Sequence, residues 1–136
     1  MRASKDIRGI WAACLLVGGL NHARILLEHG LLWDYGGINR ASAIYWSSLT
    51  VLDPLVALLL FVRPKIGILS TIVLIVSNVS HNIAITAHYA ASEELVARAA
   101  ADPFLLSQIA FMLFVIISTP IVWHGLSPRN QRQLMR

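Results

Sequence analysis

Four apolar runs, at about residues 9–33, 43–62, 66–89 and 104–124, constrain this chain more than any other feature. Each supplies the roughly 20 residues of helix needed to cross a bilayer core about 30 Å thick. Only 13% of the residues are charged, against 57% hydrophobic, whereas a soluble domain carries about 25% charged residues. The expected fold is therefore all-α: a single domain over residues 1–136, built as an integral membrane four-helix bundle.

The connections support this division. Gly36-Gly37 and Asn39 end the first run, and Arg63-Pro64-Lys65 makes a tight turn between the second and third. Asp102-Pro103 opens the fourth, with proline where a helix needs no N–H donor. The 90–101 stretch reads as a short surface helix. Eight of the eleven Lys and Arg residues lie in the N-terminal tail, the 63–65 turn and the C-terminal tail. By the positive-inside rule both termini are cytoplasmic. This distribution flanks apolar segments and forms no basic face with interleaved aromatics, so no nucleic-acid partner is expected, despite a sequence pI near 9.8. A cleaved leader over residues 1–23 would need small residues in "LNHA" and would leave apolar "ILLEHGLLW" unexplained, so the first run is expected to stay as a span. The single Cys14 excludes an internal disulfide and any CxxC motif.

Polar residues inside such runs are costly and gather toward a bundle interior. The first run carries "NHARILLEHG", residues 21–30. His22 and His29 are seven apart and share a helix face, while Arg24 and Glu28 form an i,i+4 pair on nearly the opposite face. That pair reads as a self-neutralising packing or assembly contact. His81 and His88 repeat the seven-residue spacing in the third run, flanked by Asn78 and Asn82. Asp53 lies midway along the second, before Pro54, which removes a backbone hydrogen bond. Three helices thus aim His22, Asp53 and His81 at one layer. Gln108 is the only strongly polar group inside the fourth run, which reads as an outer wall.

Several chemistries suit such a layer. Two histidines and an aspartate (His22, His81, Asp53) make a non-haem metal set, and His22 with His81, or His29 with His88, could ligate one haem. An intramembrane Asp beside His suits a proton or substrate relay, and the same groups, with Asn78 and Asn82, could bind a ligand or hold the helices together. Tryptophans and tyrosines near the run ends, Trp46 among them, read as interfacial anchors. Common nucleotide, hydrolase and metalloprotease motifs are absent from the sequence.

Taken in order, "GGLNH", "LDPLVALLLFVRP" and "SNVSHN", over about residues 16–82, resemble the DoxX-like group of small four-helix bacterial inner-membrane proteins. Some of those are tied to quinone-linked oxidoreductase complexes. The resemblance implies a four-helix fold, a bacterial inner membrane and a redox association; it assigns no residue, and the second histidine of each pair lies outside the family pattern. The expected function is a small membrane accessory or binding subunit, in a homo-oligomer or larger complex, with a metal ion, haem or quinone as the candidate cofactors. A metal- or haem-dependent oxidoreductase and a proton-coupled small-solute transporter are the alternatives.

Overall fold

The structure, a computed structural model, describes residues 2–31, 33, 35, 37–89 and 94–126. Gly36, residues 90–93 of the expected surface helix and the arginines of the C-terminal tail, which figured in the sequence reading, lie outside the described residues. Those described form five helices: α1 (Arg2–His29), α2 (Arg40–Val62), α3 (Pro64–Tyr89), the short α4 (Leu95–Ala101) and α5 (Pro103–His124). The four longer ones are each long and apolar enough to cross a membrane, and among the described residues there is no strand. Large apolar side chains such as Val17, Leu27, Val51, Val73 and Ile117 are exposed around the outside. A soluble protein would bury these; a bundle with lipid around it would not.

Each helix begins and ends for a local reason. Gly30, in the left-handed region (φ 87°), stops α1 and donates its N–H to the Leu26 carbonyl. Asn39 caps α2 by accepting from the Ser42 N–H at 2.9 Å. One residue, Arg63, separates α2 from α3. Asp102 caps α5 with one carboxylate oxygen that accepts from the Phe104 and Leu105 amides at 2.9 and 3.2 Å. Asp102→Ala is expected to lower stability by about 1 kcal/mol, read as a small drop in the thermal melt with the helical content retained at low temperature.

The long helices pack in a ring, α1 on α2, α2 on α3, α3 on α5 and α5 back on α1, which leaves α1 and α3 on a diagonal. Close approach of α1 to α2 depends on Gly18 and Gly19. A side chain at Gly18 would meet Asp53 Oδ2 at 3.1 Å, and one at Gly19 would meet Pro54 Cδ at 3.0 Å. The α1–α5 seam is closed at the end of the bundle where α1 begins and α5 ends. There Ser4 Oγ donates to the Val122 carbonyl at 3.1 Å and Trp11 Nε1 to Ser118 Oγ at 3.2 Å. Trp11, Leu15, Leu60, Ile68, Val115 and Val122 form the apolar core of this closed half.

Helix α1 starts at Arg2, seven residues before the first apolar run. Arg8, read from sequence as part of a basic tail, is buried: its Nη1 donates to the Leu60 carbonyl at 2.7 Å and its Nε to the Ser4 carbonyl at 3.2 Å. Pro64 lies four residues after Leu60 and has no N–H to give that carbonyl. Arg8 supplies the missing donor at the negative end of α2.

Candidate functional site

Toward the opposite end the α1–α5 seam parts, and a cleft of about 930 Å³ lies between the helices. Its mouth is lined from both sides by exposed residues, among them Cys14, Arg24 and Glu28 of α1 and Phe104 and Ser107 of α5. Ile25, Leu74, Ile75, Ile85, Leu105 and Phe111 make much of the wall apolar. Set into that wall are Asn21 and His22 from α1, Asp53 from α2, Asn78 and Asn82 from α3, and Gln108 from α5. A cavity of this size with a few convergent polar groups is the usual form of a small-molecule site.

Asp53 is only 7% exposed, and among the described residues its carboxyl group has no hydrogen-bond partner. The glycines opposite let α1 close over it without supplying a donor. His22 Nδ1 is also buried with no partner among the described residues. A buried polar group of this kind is costly unless something else meets its needs.

The α3–α5 wall, in contrast, is bonded into a row. Trp46 Nε1 donates to Asn82 Oδ1 at 3.0 Å; Asn82 Nδ2 donates in turn to Gln108 Oε1 at 2.5 Å and to Asn78 Oδ1 at 3.4 Å. Three helices are tied by this row, and two of its members were not read this way from sequence. Trp46 is 9% exposed and inside the bundle, not an interfacial anchor, and Gln108 belongs to the site, not to an outer wall. Asn21 was likewise passed over. It lies seven residues after Cys14 and three after Gly18, on the cleft-facing stripe of α1, a spacing visible in the sequence once that stripe is known.

The layer of His22, Asp53 and His81 is only partly assembled. His22 and Asp53 reach the cleft, but His81 packs between Tyr45 and Trp46, with ring centroids 4.6 and 5.5 Å away. Because α1 and α3 are diagonal and His81 is turned toward α2, the two His-bearing faces do not meet. Among the described residues no three of His, Cys, Asp and Glu come together as a metal-holding group, so this arrangement lends the metal set no support. His29 and His88 are both exposed; His29 stacks on Trp33 at 3.9 Å, and His88 lies edge-on to Tyr89.

Arg24 and Glu28 pair as their spacing implies, at 2.7 Å. Their place differs from the expected outward face, since both border the cleft mouth. The helix rotation that turns Gly18, Asn21 and Ile25 toward the cleft brings Cys14 and Glu28 to its mouth and leaves His29 outside. Above the cleft, Tyr35 lies between Trp33 and Trp46, with centroids 4.9 and 4.7 Å away, and has φ 52°, strained for a residue of its size. Burial raises the pKa of its phenol, whose hydroxyl has no hydrogen-bond partner among the described residues.

Comparison of the chain with protein-family models, with characterised proteins and with solved structures finds no match.

Proposed function

We propose that this chain is a small multi-pass subunit of a bacterial inner membrane, with both termini cytoplasmic. Its cleft binds an amphiphile dissolved in the bilayer and makes it available to a larger membrane complex, either a quinone-linked oxidoreductase or a transport system. The observation that carries this reading is the parted α1–α5 seam: a cavity of about 930 Å³ whose mouth lies between two apolar helices. A water-soluble ligand would have to enter past hydrocarbon, whereas a lipid-dissolved one is already there. Mostly apolar walls suit a tail, and the polar groups suit a head. The charge distribution supports the orientation, and the resemblance of "GGLNH", "LDPLVALLLFVRP" and "SNVSHN" to DoxX-like proteins supports the redox association.

The test is solvent extraction and mass spectrometry of protein purified in mild detergent, beside a Ser107→Trp variant. Ser107 is exposed at the mouth, so the indole obstructs the cleft without entering the core. One amphiphile is expected at near one per wild-type chain and about tenfold depleted in the variant, equivalent to some 1.4 kcal/mol of lost binding. Equal lipid content in both proteins would sink the reading.

A further inference from the structure

The amide row has a fixed direction, and that direction specifies what the ligand must offer. An indole nitrogen donates and never accepts, so the Asn82 atom facing Trp46 Nε1 has to be its oxygen. Asn82 Nδ2 is then the atom turned toward its neighbours. It can only donate, so the atoms that Gln108 and Asn78 turn to it have to be oxygens. The amide nitrogens of Gln108 and Asn78 are left over. Neither has an acceptor among the described residues, and neither is among the sealed polar atoms, although both residues line the cleft. The donor-only side chain at the head of the row, Trp46, thus turns two amides, on α3 and on α5, into N–H donors available to whatever fills the cavity.

Resting on the amphiphile-binding reading, we infer that the head of the bound molecule carries a carbonyl oxygen, held by the free N–H groups of Asn78 and Gln108. An acceptor satisfies these donors, whereas a plain hydrocarbon leaves both unpaired in an apolar wall, and such mismatches dominate discrimination at buried polar sites. Two membrane sources offer this chemistry: the ring carbonyl of an alkyl quinone and the ester carbonyl of a monoacylglycerol. The monoacylglycerol also brings hydroxyls that the unpartnered Asp53 can accept.

Cys14 makes the test direct, because it is the chain's single cysteine, is exposed and lines the same cleft. Its alkylation by N-ethylmaleimide is followed by intact mass in nanodiscs, with probes compared at equal mole fraction. A long-chain methyl ketone is expected to slow alkylation at concentrations about fivefold below those needed by the alkane of equal length, the effect of about one net hydrogen bond. That preference falls in Asn78→Leu and in Gln108→Leu and vanishes when the two are combined. A decyl-tailed benzoquinone whose other ring positions are all substituted, leaving no carbon free to add the thiol, and a monoacylglycerol are run alongside; protection by either at lower concentration than the alkane, with no quinone adduct in the intact mass, supports the inference and names its source.

Equal protection by ketone and alkane in the wild-type protein would overturn the carbonyl inference and leave amphiphile binding standing. That comparison needs no variant to fold. A preference that survives the double substitution also overturns it. If no probe slows alkylation, both the inference and the reading beneath it fail.

Discussion

Gly67→Ala is expected to destabilise the protein by about 3 kcal/mol, at the upper end of what forced overpacking costs. The cause is where the methyl group would land. Gly67 is buried one turn into α3, just after the single-residue connection from α2. A Cβ there would sit on the Leu60 amide nitrogen, 2.5 Å from the Leu59 carbonyl carbon and 2.6 Å from Leu60 Cα. All three are main-chain atoms, so no side chain can rotate away. Relief requires α2 and α3 to part at the point where a connection this short ties them together. Gly9→Ala is the matched control, since a Cβ at Gly9 meets nothing within 4 Å. In a helix interior that change should be neutral or stabilise by up to about 1 kcal/mol. Thermal melts in detergent, followed by circular dichroism, separate the two; a Gly67→Ala protein that melts with the wild type would show that the α2–α3 contact is not as close as described.

Arg8→Met should cost about 2 kcal/mol, the scale of a hydrogen bond to a charged donor whose acceptor stays buried. Methionine preserves most of the stem's packing and removes both the guanidinium bond to the Leu60 carbonyl and the charge at the α2 C-terminus. That carbonyl cannot turn to its own helix, because the residue four positions on is Pro64. In the Arg8→Met background, Pro64→Ala should recover part of the loss by restoring an N–H. Amide exchange at Arg63, whose N–H bonds the Leu59 carbonyl at 2.9 Å, should quicken in Arg8→Met and slow again in the double variant. Unchanged exchange and stability would mean that Arg8 does not hold this corner.

Most of the fold was legible because length and hydropathy act through simple geometry. A run of twenty apolar residues has few alternatives, and Asn39 and Asp102 mark boundaries by local chemistry alone, whereas α1 stops at Gly30, short of the end at residue 33 that hydropathy suggested. The site was legible by composition more than by arrangement. Asp53, His22, Asn78 and Asn82 do line one cleft, because polar groups in apolar helices have few other places to go. His81 shows where that logic ends: residues at one depth can still face different neighbours, and which helices are diagonal cannot be read from periodicity. Arg8 shows a second limit, since a basic residue next to a span has the same sequence signature whether it stays in the tail or folds back on a distant carbonyl. Gln108 and Trp46 were misplaced for the same reason. Their partners lie 26 and 36 residues from them along the chain, and no local pattern records such a bond.

The closed half of the α1–α5 seam has a consequence for supply. If the cleft binds as proposed, its mouth among the described residues opens toward the leaflet next to the α1–α2 connection, because the Ser4–Val122 and Trp11–Ser118 bonds shut the same seam beside the other leaflet. Occupancy would then follow the composition of one monolayer, and a molecule delivered to the opposite face would arrive only as fast as it flips. A membrane with identical overall lipid content but reversed asymmetry would present this protein with a different ligand concentration.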